Sequence, residues 1–182
     1  MFGFLRRRRL PAAVRPRMDH DERVVAWAST SDGDAGRSAV VATNRGLWLP
    51  GRAERLDWHQ IHKATWSGSQ LTVVPAVQVG TGEGYAVMAD DLATAVRLAD
   101  PDNVPPQVRN RVNRSVAYTR HHEVPGGGVR VVARRVAGID GVTWHVRFDE
   151  GTDADDPSVA VATAELVAAA SASAASASAG SE

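Results

Sequence analysis

Turn residues recur so closely between positions 23 and 89 that no long helix fits there. Asn44-Arg45-Gly46, Pro50-Gly51, Ser67-Gly68-Ser69 and the glycines from Gly80 to Gly84 supply the residue types that tight reversals need, and Ser31, Gly33 and Gly36 mark a further loop. The segments between them are short and rich in valine, threonine and tryptophan: 23–30, 38–43, 47–49, 54–58, 61–66, 70–74 and 85–89. About seven short strands at this spacing predict an antiparallel sandwich or open barrel rather than a parallel sheet.

The pattern then changes. Asp90 or Asp91 can cap a helix whose apolar positions are Leu92, Ala95, Val96 and Ala99, and Asp100-Pro101 interrupts it. Pro105-Pro106 open a second helix with Val108, Val112 and Val116 at four-residue intervals. Segments 129–136 and 142–148 flank a glycine-containing turn as a hairpin. In its second arm Val142, Trp144, Val146 and Phe148 alternate with Thr143, His145 and Arg147, one buried face against one wet face. After an acidic stretch, Pro157 opens a last helix with Val159, Ala162, Leu166 and Ala170 as its stripe. From about residue 168 the chain is nearly all alanine and serine, which predicts a frayed tail.

The expected fold class is therefore α+β: an antiparallel sandwich or open barrel with a closing helical segment, extended by a C-terminal hairpin and helix. The expected organisation is a flexible basic leader (1–18), a sheet with helices (19–118), a hairpin and helix packed on the same domain (119–170) and a disordered tail (171–182). Trp27, Trp48, Trp58, Ile61, Trp66 and Trp144 are the expected core anchors.

Residues 22–98 resemble the bacterial pleckstrin-homology-like domains. The pieces that carry the resemblance run from Val40 through Thr43-Asn44-Arg45-Gly46 to Trp48, then Leu56-Asp57-Trp58-His59-Gln60-Ile61, then Trp66 and Leu71. The resemblance implies a strand, an Asn-Arg turn, a second strand and a Trp-x-x-Ile segment, with a helix closing the sheet and Leu92 and Val96 plugging one end. It also implies a binding module rather than an enzyme. Lipid-binding members carry a basic cluster in the loop after the first strand; here Asp32, Asp34 and Arg37 occupy that loop, which argues against a phosphoinositide there.

The net charge of zero hides a striped molecule. Residues 1–18 carry +6, 19–96 carry −4, 97–135 carry +5 and 136–182 carry −7. Lys63 is the only lysine, and the preference for arginine suits a GC-rich genome such as an actinobacterium's. Phe2, Phe4 and Leu5 precede Arg6, Arg7, Arg8 and Arg9, the reverse of a secretory signal, and could touch an anionic membrane surface. No apolar run reaches about 18 residues, so no transmembrane helix is expected. The second basic surface, and the more interesting one, comprises Arg109, Arg111, Arg114, Arg120, Arg130, Arg134 and Arg135. With Tyr118 alone as interleaved aromatic, it is expected to pair with the acidic segment 136–182 or with a partner rather than with nucleic acid.

Few patterns point to chemistry. With no cysteine there is neither a disulfide framework nor a thiolate site. His59 and His62 look like surface residues, His121 and His122 are adjacent and would face opposite ways, and His145 lies on the wet face, so no metal is expected. The acidic run from Asp149 to Asp156 lacks the central glycine of a calcium loop and reads as a cap for the last helix. The glycine-rich stretches lack a following lysine and helix, and no nucleophile elbow or zincin motif is present. The expected function is a non-catalytic, cofactor-free binding or adaptor role for a protein or peptide partner, in the cytoplasm. The alternative is a basic module that meets an anionic membrane, at its inner face, or nucleic acid through Arg6–Arg9 and Arg109, Arg111 and Arg114.

Overall fold

The computed structural model describes residues 9–31 and 38–179, and the fold is α+β, a curled mixed sheet forming a half-barrel with a helix at its C-terminal end. Strands β1 (Val24–Ser29), β2 (Ala39–Thr43), β3 (Gly46–Trp48) and β4 (Leu56–Asp57) form an antiparallel meander. The close approach of β3 to β4 depends on Gly46, where a Cβ would lie 2.3 Å from the Leu56 carbonyl oxygen. A single helical turn, Trp58–Gln60, leads into β5 (Ile61–Trp66), followed by β6 (Gln70–Gly82), β7 (Tyr85–Asp90) and β8 (Thr94–Arg97). Helix α1 (Val104–Ser115) runs directly into β9 (Val116–Val124), and β10 (Gly127–Arg134), β11 (Thr143–Phe148) and α2 (Pro157–Ala179) complete the chain.

The first core lies inside the half-barrel. Ala26, Ala28, Val40, Leu47, Trp58, Ile61, Leu71, Val73 and Val96 meet Val104, Val108 and Val112 of α1, which closes one end. Trp66 packs against this core half-buried. Trp27 and Trp48 belong to neither core; on β1 the inward positions are Ala26 and Ala28, so Trp27 between them faces the other way. The second core lies between β7, β9, β10 and β11 on one side and α2 on the other. It contains Tyr85, Val124, Val129, Val131, Val146, Val159, Val167 and Ala170, with Trp144 half-buried beside it and its ring 5.7 Å from that of Tyr118.

Several elements depart from expectation, among them β9, a strand not expected from its sequence. The segment expected to be a helix at 90–99 is a strand: Leu92 is 87% exposed, while Val96 and Leu98 are buried alternately with exposed Ala95 and Arg97. A short apolar segment fits either period, and here β6 offers a ladder on one side while Ser29 and Ser31 offer backbone partners on the other. The closing helix is therefore α1. Strand β6 continues past Pro75, which sits where the β5–β6 register shifts, a place where its missing N–H costs no ladder bond. The pairing of β7 with β11 is parallel, with His145 opposite Ala86 and Val146 opposite Val87.

The last helix carries the expected stripe, with Val159 and Ala170 buried and Ala162 and Leu166 half-buried against the second core. Asp156 caps it: its Oδ1 accepts from the Ser158 backbone N–H and hydroxyl, both at 2.7 Å, and these bonds hold its carboxyl below the usual range. The helix extends to Ala179, through residues whose serine content predicts fraying. By length and mean hydropathy (1.4) the span Pro157–Ala177 is apolar enough to cross a membrane, although in this fold one face of it covers the sheet.

Candidate functional site

The two faces of the β10–β11 hairpin separate as its alternation predicts. Val129 and Val131 of β10 and Val146 of β11 point to α2; Arg130, Val132 and Arg134, with His145 and Arg147, point the other way. That second face is covered in part: Val132 and Arg134 are buried, while Arg130 and Thr119 stay exposed at its rim. The half-barrel brings His62 of β5 against it and leaves an open-mouthed cavity of about 160 Å³ lined by His62, Val116, Thr119, Arg130, Val132, Arg134, His145 and Arg147. Val132 and Arg134 are only 8% and 6% exposed.

Arg134 is the unusual member. Its Nη1 donates to Ser115 Oγ at 2.8 Å, and Ser115 in turn donates to the Val112 carbonyl at 2.7 Å. No ion pair joins Arg134 to a carboxylate among the described residues. A buried cation without a counter-charge is costly, and burial, reinforced by Arg147, lowers its pKa. The strain is compounded by register. Arg130 lies directly opposite Arg147 across the β10–β11 ladder, a like-charge pair that destabilises a sheet.

One acidic group serves the cavity wall. Asp90 accepts from Arg147 Nη2 at 3.1 Å on one oxygen and meets His62 Nδ1 at 2.7 Å on the other. The His62 side chain is 6% exposed, which corrects its expected surface position: β5 turns inward over the hairpin. Burial pushes the His62 pKa down, opposed by the bond to Asp90. Burial also lowers His59, and it pushes His145 to about 4, with help from Arg134, His59 and His62. The histidines of this site are neutral at neutral pH, and the arginines carry its charge.

The residues singled out from the sequence lie elsewhere. Arg6, Arg7 and Arg8 fall outside the described residues, as does most of the loop containing Asp32, Asp34 and Arg37. Arg9 and Arg109 are exposed. Arg111 stacks 5.9 Å from the centroid of Trp58, its Nε buried without a partner, and burial lowers its pKa. Arg111 and Arg114 share a second hollow of about 200 Å³ with Arg45, His59 and Arg135. Arg135 donates to the Arg114 carbonyl at 3.1 Å rather than to an acid. The expected neutralisation by segment 136–182 is not what the fold does. None of Arg109, Arg111, Arg114, Arg120, Arg130, Arg134 and Arg135 pairs with a carboxylate among the described residues, and Asp149 bonds His121 at 2.7 Å instead.

Sequence inspection places His145 and Arg147 on the wet face of the hairpin and counts Arg130 and Arg134 in a basic surface, but gives no sign that these four meet or that β5 lies against them. The signal available was the unusual density of arginine and histidine on one strand face. No protein-family model, characterised protein or solved structure matches this chain.

Proposed function

We propose that this chain is a non-catalytic binding module that recognises an anionic group, and that the group seats in the cavity around Arg134. The observation that carries this reading is a buried guanidinium bonded to a serine hydroxyl and to no carboxylate. An anion supplied from outside would complete the ion pair that the fold omits. Arg130 and Arg147, adjacent across the ladder, would share it and lose their mutual repulsion. The anionic group belongs to a small molecule or is displayed by a protein or peptide partner.

A pleckstrin-homology-like reading of the first half of the chain agrees with this role. It is supported by the β1–β4 meander, by β5, β6 and β8 beside it, by the Thr30–Leu98 bridge that joins β1 to the β8 edge, and by α1 closing the end. In this reading β7 and everything after α1 form an addition that builds the anion site at its border.

Calorimetric titration of the full chain with inorganic phosphate, sulfate and citrate, at low and moderate salt, tests the proposal. Saturable binding of at least one anion, lost in Arg134→Gln, is the expected result. Absence of binding for all three, or equal binding by the variant, would overturn it.

A further inference from the structure

We propose that the cavity selects an oxyanion carrying one proton of its own, and that inorganic phosphate, as the hydrogen-phosphate dianion, is the ligand it fits. This deepens the anion-binding reading and rests on it. Three features of the wall support it: its charge, its hydrogen-bonding polarity and its size.

Three guanidinium groups, of Arg130, Arg134 and Arg147, against the one carboxylate of Asp90 leave two positive charges around the cavity. That matches a dianion. The hydrogen-bonding groups are mostly donors: the three guanidinium forks and the Thr119 hydroxyl. The two neutral imidazoles are the exceptions; His145 is engaged at Nε2 by Thr143 Oγ1 at 3.3 Å, and His62 is the one whose tautomer a carboxylate sets. Its Nδ1 lies 2.7 Å from an Asp90 oxygen, and a carboxylate can only accept, so Nδ1 carries the proton. Asp90 is itself held by Arg147, and the ring is packed to 6% exposure, so this tautomer is fixed. Nε2 is then the unprotonated nitrogen of a ring that lines the cavity. Burial, which keeps this ring neutral near neutral pH, preserves the lone pair.

A wall in which cationic donors predominate and His62 Nε2 is held as an acceptor discriminates by the ligand's proton. Hydrogen phosphate offers anionic oxygens to the arginines and its O–H to His62 Nε2. Sulfate has the same tetrahedral shape and charge but no proton, so one of its oxygens would face the lone pair, leaving an acceptor against an acceptor. A cavity of about 160 Å³ is smaller than the roughly 300–1,000 Å³ of drug-sized sites, so it suits a free tetrahedral ion. A phosphate monoester is a poorer match, since its second proton dissociates at about pH 6 and its dianion has none to donate.

The test is competitive calorimetry on the full chain near neutral pH and at constant ionic strength, with inorganic phosphate, sulfate and phenyl phosphate as ligands. Phosphate is expected to bind about tenfold or more tighter than sulfate, and tighter than the monoester. His62→Leu removes the lone pair and Asp90→Asn releases the tautomer; each is expected to bring the phosphate and sulfate affinities together. Nitrogen-15 NMR of the ring gives a readout in the unaltered protein, with the proton expected on Nδ1. Equal binding of phosphate and sulfate would overturn proton selection while leaving the anion site standing, and binding of neither would overturn both. Tighter binding of phenyl phosphate, a proton found on Nε2, or a phosphate preference unchanged in both variants would each overturn the assignment to His62.

Discussion

Glu22 and Arg134 are equally buried, each 6% exposed, yet the fold treats them in opposite ways. The Glu22 carboxylate, in the first half of the molecule, accepts from Arg55 at 2.7 Å, Thr43 Oγ1 at 2.6 Å, Trp48 Nε1 at 3.0 Å and the Asp19 backbone N–H at 3.2 Å. Burial alone would lower the pKa of Arg55; its bonds to Asp57 and Asp19 raise it instead, so this guanidinium stays charged. Arg134, at the border with the second half, has one hydroxyl. A charge satisfied on all sides ties chain segments together: here it joins the approach to β1 with β2, β3 and β4. A charge left short is a cost with no structural return, and such sites are where binding is to be sought.

The difference can be broken from either side. The largest effect is expected from Glu22→Gln, which leaves Arg55 without its innermost carboxylate and should cost about 3 kcal/mol in urea denaturation. Arg134→Met should move stability the other way, a gain of about 1 kcal/mol in phosphate-free buffer, because it removes an unpaired buried charge while Ser115 keeps its bond to Val112. Saturating phosphate should raise the Tm of the unaltered chain and leave that of Arg134→Met unchanged.

Acid sharpens the contrast next. The folded chain holds His145 at about 4 against 6.5 when unfolded, with His59 and His62 also lowered. The groups facing these rings are Arg134, Arg147, Asp57 and Asp90. Between those values the unfolded chain binds more protons than the folded one, so stability is complete above about 6.5 and falls as pH drops toward 4. The urea midpoint should trace this fall, with a shallower slope in His145→Asn. The smallest effect is expected from Asp156→Ala at the start of α2, a slight drop in Tm, because the capping bonds lie at the exposed surface.

Local signals made much of the fold legible. Turn residues delimit the strands, and alternation along 142–148 sorts the hairpin into its two faces, because both depend only on near neighbours. The strand at 94–97 was not legible as such: Leu92, Ala95, Val96 and Ala99 satisfy a helical period, and only the waiting edge of β6 decides otherwise. Pro75 reads as a strand end until the register shift opposite it is known. Strand β9 carries Arg120, His121, His122 and Glu123, no pattern that predicts a strand, and is ordered by its ladder with β10. Trp27 reads as an anchor by size, but alternation with Ala26 and Ala28 turns it away from the core.

The site was legible only in its parts. Arginines on α1 attract notice because a helix displays them at regular intervals. Arg134 is noticed only as one of seven basic residues, since its meaning lies in its burial against a hairpin face that β5, some seventy residues earlier in the chain, helps to cover.

Strand β6 has a consequence for how the molecule opens. Its first half, from Gln70, pairs with β5 and β8, and its second half, to Gly82, pairs with β7 in the sheet that carries α2. One continuous backbone thus runs through both cores, and neither can be dismantled without releasing hydrogen bonds that anchor the other. Amides along Gln70–Gly82 should exchange with solvent only when the whole chain unfolds, so the two halves form a single cooperative unit and not two domains on a hinge.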